Sequence, residues 1–242
     1  MRKLLTGLTV LAALGFAGTS QAANGTIDVS WNQCTPTVTD ITTTTPGAYG
    51  LFLSVLGMDV PHTAYEVNVI YGNASQVVPD AWRFDAAGCQ GAAYISLDHL
   101  PPSSVSKTCP ALQGNASSLQ IKDVSFAPAN LGYATTLLRI TLANSYPAGQ
   151  TPVITQRYFL ARFNFDHSFS VAGPGTPGSN CGDWDQPVCF KLSRANYVDL
   201  PGAEHPFGRP AVVQVSFQGP SACAFVPVHA KTWGQIKNQY RN

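Results

Sequence analysis

Apolar and polar side chains alternate along several short stretches of this chain. In residues 64–71 every second side chain is large and apolar, whereas Glu66 and Asn68 fall between them. An alternation with a period of two is typical of an antiparallel strand that has one face on the core and the other in water. The sequence therefore predicts a strand whose core-facing side chains are Tyr65, Val67, Val69 and Tyr71.

Two further stretches, residues 158–166 and 212–217, repeat this pattern. The positions expected in the core are Phe159, Ala161, Phe163 and Phe165 in the first, and Val213, Val215 and Phe217 in the second. The positions expected in water are Arg162, Asn164, Asp166, Gln214 and Ser216. Each stretch therefore predicts a half-buried strand.

Weaker strand signals, with proline and glycine between them, complete the pattern. They cover residues 25–31, 49–56, 92–97, 119–126, 135–143 and 188–192. Nine or ten short strands with turn residues between them predict an all-β protein, an antiparallel β-sandwich or jelly roll. Thr-rich residues 35–46 form a linker or an edge strand, and Gly/Pro-rich residues 172–187 form a long surface loop.

The first 22 residues have the composition of a secretory signal peptide. Arg2 and Lys3 precede an apolar run over residues 4–16, and Ser20-Gln21-Ala22 places small residues before a cleavage site. The mature protein is therefore expected outside the cytoplasm, as an extracellular, cell-surface or periplasmic protein. Residues 23–230 are expected to form one sandwich domain.

Six cysteines follow the signal peptide: Cys34, Cys89, Cys109, Cys181, Cys189 and Cys223. An even number of cysteines in an exported chain predicts disulfide bonds, and no C-x-x-C motif favours a zinc site. Six cysteines allow about 15 pairings. Sequence proximity favours Cys181–Cys189 and Cys89–Cys109, which leaves Cys34–Cys223.

The composition excludes several classes of partner. Cleavage after Ala22 leaves 220 of the 242 residues and removes two of 14 basic residues, against 13 acidic ones, so the net charge changes from +1 to −1. A near-neutral chain without basic clusters gives no support for nucleic-acid binding. No second apolar run approaches the roughly 20 residues of a membrane helix, so no transmembrane segment is expected after signal cleavage.

The last twelve residues, 231–242, differ from the body. Thr232-Trp233-Gly234-Gln235 matches a helix capping box, and Trp233, Ile236 and Tyr240 then share one helical face. A helix of about eleven residues is marginal in water. The tail is therefore expected to fold only when this apolar face docks on a partner surface.

The predicted small-ligand site is the triplet Asp183-Trp184-Asp185, in the loop between Cys181 and Cys189. An exposed Trp184 would stack on a sugar ring, and the two aspartates would accept sugar hydroxyls or bind calcium. The alternative is a polar loop whose tryptophan packs back onto the sandwich. No other cofactor is indicated.

Catalytic residues are not predicted. The chain lacks the G-x-S-x-G, H-E-x-x-H and P-loop motifs, and its only glutamates are Glu66 and Glu204. Asp166-His167 and Asp98-His99 end predicted strands, where adjacent side chains point to opposite faces and cannot chelate together. Trp82 is expected in the core.

Two resemblances follow from these motifs. The ending T-W-G-x-I-K-x-x-Y-R over residues 232–241 resembles the tail of uncharacterised exported bacterial proteins with otherwise different bodies. A tail shared by unlike bodies implies sorting or attachment. The strands at residues 64–71 and 158–166 resemble those of cohesin-type sandwiches, and this resemblance implies a binding or scaffolding role.

The leading hypothesis is a non-enzymatic exported protein in extracellular adhesion, surface structure or assembly, with a protein or polysaccharide partner at the cell surface. A carbohydrate-binding module that uses an exposed Trp184 is the first alternative. A secreted hydrolase with a carboxylate pair that the sequence does not reveal is the second.

Overall fold

The computed structural model describes residues 24–58, 60–112, 121–128, 138–208 and 210–223, and within them the chain is an all-β sandwich. The strands are β1 (Asn24–Trp31), β2 (Asp40–Ile41), β3 (Ala48–Met58), β4 (His62–Gly72), β5 (Ile95–Asp98), β6 (Ile121–Pro128), β7 (Leu138–Gln150), β8 (Tyr158–Asp166), β9 (Val188–Asp199), β10 (Glu204–Pro206) and β11 (Gln214–Phe217). Short 3-10 turns lie at Asp80–Trp82, Ala92–Tyr94 and Pro220–Cys223. The predicted fold class is confirmed.

Two sheets make up the sandwich. The smaller has the order β1-β3-β8-β5, and the larger has the order β2-β11-β9-β4-β7-β6, with β10 pairing β9 as well. The strand pairs are antiparallel except for β2 and β11, which run parallel. The Thr-rich stretch 35–46 therefore includes an edge strand.

The core lies between the two sheets and is rich in aromatic rings. Every second residue of β4 points inward, as the alternation predicts, and Tyr65, Val67, Val69 and Tyr71 are at most 2% exposed. Trp82 is fully buried, also as expected. It packs against Phe165, Phe190 and Phe217 with ring centroids 4.9–5.5 Å apart.

The predicted orientation of Phe159 is wrong. A register shift between Leu53 and Ser54 of β3 makes a bulge in β8, so that Phe159 pairs with Ser54 rather than continuing the inward series. Phe159 therefore lies on the outer face of the small sheet, against Phe52 and the Cys34–Cys109 disulfide. Leu160 takes its place in the core.

The last predicted strand, at residues 212–217, also differs from expectation at two positions. Val215 and Phe217 are buried, but Val213 is 37% exposed. It precedes β11, which begins only at Gln214. Ser216, expected in water, is buried where β11 pairs with β2, and its hydroxyl donates to Asp40 at 2.6 Å.

All six cysteines form disulfides, but all three suggested pairings are wrong. The bonds are Cys34–Cys109, Cys89–Cys181 and Cys189–Cys223, with sequence separations of 75, 92 and 34 residues. The first ties the start of the chain to the segment that covers the small sheet. The second joins the loop at residues 172–187 to the turn after Trp82, and the third fixes the end of the described chain to β9.

No helix among the described residues is long and apolar enough to cross a membrane. The predicted signal peptide at residues 1–22 lies outside the described residues, as does the tail at residues 231–242 with Trp233, Ile236 and Tyr240.

Candidate functional site

The structure places Trp184 inside the protein, so the expectation of an exposed stacking platform is wrong. The side chain is 1% exposed and packs on Trp82, with ring centroids 6.1 Å apart and nearly parallel planes. Backbone bonds draw the loop inward: Trp184 N–H donates to Val171 O at 3.0 Å, and Ala81 N–H donates to Gly182 O at 2.8 Å. Trp184 therefore packs back onto the sandwich and closes one end of its core.

The two aspartates beside Trp184 have different surroundings. Asp185 Oδ1 accepts the Gly173 N–H at 3.0 Å and so holds the loop together. Partial burial raises the pKa of Asp183, and the nearby carboxylates of Asp80 and Asp185 raise it further. Within the part of the chain that the structure describes, no three His, Cys, Asp or Glu side chains are grouped closely enough to hold a metal ion.

A shallow cleft of about 360 Å³ lies beside this loop, next to the Cys89–Cys181 disulfide. Asp80 and Asn180 line it, and most of the remaining wall is glycine, alanine and proline. Such a wall offers backbone groups and few side chains to a ligand. The cleft therefore lacks the aromatic surface that sugar stacking requires.

His167 lies in the same buried cluster. Its ring centroid is 4.1 Å from that of Trp82 and 4.5 Å from that of Trp184. Burial lowers the pKa of His167 to about 3, and the neighbouring Asp166 opposes this shift only in part. The imidazole is therefore neutral at ordinary pH and serves as an aromatic member of the core.

The carboxylates that the sequence singles out have structural contacts. Glu66 Oε1 accepts from Asn68 Nδ2 at 2.9 Å on the outer face of the large sheet. Asp98 pairs with Arg162 on the small sheet. Glu204 accepts from Arg194 at 2.7 Å. Asp98 and Glu204 therefore link neighbouring strands, whereas Glu66 bonds to a residue of its own strand.

The most distinctive surface feature is an apolar end of the sandwich, which sequence reasoning missed. Leu200 is 59% exposed, Val153 is 59% exposed and Ile154 is 47% exposed. Two prolines beside Leu200 are also exposed. Pro201 follows Leu200 in sequence, and the Pro61 carbonyl accepts the Leu200 N–H. These five residues are called the apolar end below.

Strand register explains why residues so far apart in sequence lie at the same end of the sandwich. His62 at the start of β4 pairs with Gln150 of β7 on one side and with Asp199 of β9 on the other. Neighbouring strands lie about 4.8 Å apart, so Gln150 and Asp199 are roughly 10 Å apart. The loops that follow these two residues carry Val153, Ile154 and Leu200, and therefore flank Pro61.

Hydrogen bonds fix the loop that carries Leu200. Leu200 N–H donates to Pro61 O at 3.2 Å, and Ala203 N–H donates to Asp199 Oδ1 at 2.7 Å. His205 Nε2 lies 2.7 Å from Asp199 Oδ2, and this hydrogen bond lowers the pKa of Asp199. The Asp199 carboxylate therefore holds the loop through two hydrogen bonds, one with the Ala203 N–H and one with His205.

The loop that carries Val153 and Ile154 is held in a similar way. Val153 N–H donates to the Tyr158 hydroxyl at 2.9 Å, and Gln156 N–H donates to Val153 O at 2.9 Å. The Gln156 side chain donates to Thr108 O at 3.2 Å. Both loops thus present their apolar side chains from fixed backbones.

The sequence matches no protein-family model and none of the curated proteins. Among solved structures, the chain is similar to cohesin modules. The second type II cohesin module of the adaptor scaffoldin ScaA from Acetivibrio cellulolyticus has a TM-score of 0.41 and 10% identity, over 83% of this chain and 98% of that one. The cohesin module of a family 33 glycoside hydrolase from Clostridium perfringens has a TM-score of 0.34 and 13% identity, over 81% and 93%.

Proposed function

We propose that the mature protein is a non-enzymatic exported module that binds a partner protein through its apolar end, in extracellular adhesion, surface structure or assembly. The observation that carries this proposal is the gathering of Val153, Ile154 and Leu200 at one end of the sandwich. Among the described residues these are three of the six large hydrophobic side chains that are exposed.

The apolar end has the physical character of an interface centre. Burial of apolar side chains on association is favourable by roughly 25 cal/mol per Å². Binding residues are often carried on loops at one end of a rigid scaffold. The loops here are joined to β4, β7 and β9, the central strands of the larger sheet. A partner with its own apolar anchor residues would complete this surface.

Rigidity supports the same proposal. Ordering of loops and side chains on association costs about 0.5–1.5 kcal/mol for each immobilised side chain. The loop hydrogen bonds around Asp199 and Gln156 already fix the backbone. The three disulfides limit motion of the body. A partner therefore meets a surface that needs little reorganisation.

Substitution at the apolar end should weaken partner binding without unfolding the protein. The mature chain is immobilised and used to capture proteins from the exported fraction of the producing organism, and the captured protein is then purified for titration. Leu200→Asp and Val153→Asp should each weaken binding by about 10- to 30-fold, because each places a charge at the centre of an apolar contact.

Val77→Asp is the matched control. Val77 is 47% exposed, but it follows the other end of β4, away from the apolar end. This variant should bind the purified partner within about twofold of the unchanged protein. Equal loss of binding in all three variants, or undiminished binding by Leu200→Asp, would show that the apolar end is not the binding surface. Retention on polysaccharide rather than on protein would favour the carbohydrate-binding alternative instead.

A further inference from the structure

A small apolar slot opens on the side of β9, away from the apolar end. β9 pairs with β11 through Val188–Lys191 and with β10 through Asn196–Val198. Between these pairings, within the part of the chain that the structure describes, the edge at residues 192–195 is bordered by the residues on either side of position 209. Leu192 N–H donates to Val213 O at 2.9 Å, and Phe207 N–H donates to Ala195 O at 3.0 Å. We call this gap between the β10 and β11 pairings the β9 slot.

The β9 slot has a volume of about 110 Å³ and a mainly apolar lining. Its apolar wall consists of Ile27, Leu192, Ala195, Phe207, Pro210 and Val213. An engineered protein cavity of about 150 Å³ holds one benzene molecule. The β9 slot is smaller, so it suits one aliphatic side chain and is too small for an indole ring.

The described chain ends close to this slot. Cys223 is bonded to Cys189, which lies three residues before Leu192 on β9. At about 3.3 Å per residue, the slot lies roughly 10–20 Å from Cys189 along the strand. Residues 224–235 span up to about 40 Å when extended, so this segment is long enough for position 236 to lie at the slot of the same chain.

The tail sequence supplies a side chain of the required size and shape. Ile236 is the aliphatic member of the apolar face that it shares with Trp233 and Tyr240. On a helix these two residues lie one turn before and one turn after Ile236, where they would cover the partly exposed rim at Val213. Residues 224–242 contain no Asp or Glu. Lys237 and Arg241 would therefore approach Glu204, which is bonded to Arg194 at the slot.

We infer that the C-terminal tail docks on its own body, with Ile236 in the β9 slot and Trp233 and Tyr240 packed over its rim. The tail then helps to close the gap between β10 and β11. This inference concerns a different surface from the apolar end, so either proposal can fail without the other.

Cross-linking in the full mature chain tests the contact. In the double variant Val213→Cys/Ile236→Cys, docking brings the two new thiols within disulfide range, about 4.4–6.8 Å between Cα atoms. Mild oxidation should close this bond within single chains, at least tenfold faster than in Ser103→Cys/Ile236→Cys. Ser103 is exposed on the segment that covers the small sheet, so the second pair is a matched control.

The products are assigned by non-reducing electrophoresis and by mass spectrometry of the linked peptides. A monomeric species with a 213–236 bond supports the inference. Equal rates in the two double variants would overturn it, as would a bond that forms only between two chains.

Filling the slot gives an independent readout. Ala195→Leu should expel Ile236 and raise the rate of trypsin cleavage after Lys237 by at least fivefold. Ala203→Leu, in an exposed loop, should leave that rate unchanged. The melting temperature of each variant verifies that the body is folded. If the tail of the unchanged protein is cleaved as rapidly as the tail of Ala195→Leu, the inference is wrong.

Discussion

The Asp28→Ala variant is expected to lose about 3–5 kcal/mol of its free energy of unfolding, because the substitution removes the charged partner of a largely buried guanidinium. The Asp28 side chain is 1% exposed and the Arg157 side chain is 17% exposed. Their Oδ2 and Nη1 atoms are 2.9 Å apart. Asp28 also accepts the Val212 N–H at 2.8 Å, so its loss frees a second donor. Denaturant unfolding measures the effect.

The double variant Asp28→Leu/Arg157→Met is the control for this prediction. It removes both charges together, and replacing a buried ion pair with apolar side chains is often close to neutral. Its loss of stability should therefore be much smaller than that of Asp28→Ala. A loss below about 1 kcal/mol in Asp28→Ala would show that this pair does not hold β1 to the start of β8.

Acidification from pH 7 to pH 4.5 should lower the free energy of unfolding by about 2–3 kcal/mol through His167 alone. The pKa of His167 is about 3 in the folded protein because the ring is buried, and about 6.5 in the unfolded chain. Between these values the proton binds only the unfolded chain. Stability is therefore complete above pH 6.5, falls as the pH drops, and stops falling near pH 3.

The His167→Phe variant isolates this contribution. Phenylalanine keeps an aromatic ring between Trp82 and Trp184 and takes up no proton. The free energy of unfolding, measured by denaturant titration at several pH values, should decline less steeply in the variant between pH 6.5 and pH 4.5. Identical slopes for the two proteins would show that His167 does not carry the effect.

Local alternation predicts the strands of this fold well because each strand has one buried face. β8 is predicted at residues 158–166 and observed there. The short strands β2 and β10, with two and three residues, are too short to show a period. The predicted end of β9 at residue 192 is too early, because the polar pair Ser193-Arg194 interrupts the alternation at a bulge. The strand itself continues to Asp199.

Side-chain direction at a bulge cannot be predicted from alternation. The extra residue in β8 turns Phe159 outward, where the segment that contains Cys109 covers it. The disulfide pairing depends on tertiary topology in the same way. Cys89 and Cys181 are 92 residues apart and meet only because their two loops close the same end of the core.

The candidate binding surface is the least predictable part of the protein. Val153 and Leu200 lie in short loops, each next to a proline, where one or two apolar residues carry no signal. Only the pairing of His62 with both Gln150 and Asp199 brings them to one end. For Trp184 the sequence suggests a surface site that the structure does not contain. A tryptophan in a polar loop suggests a ligand platform, but this side chain fills the core.

Binding of a partner protein at the apolar end is tested by photo-cross-linking in the producing organism, with a photoreactive phenylalanine derivative at position 200 and, separately, at position 77. Both sites are exposed and apolar, and they lie toward opposite ends of β4. One discrete cross-linked partner protein is expected from position 200 and none from position 77. The same products from both positions, or no product from position 200, would contradict it.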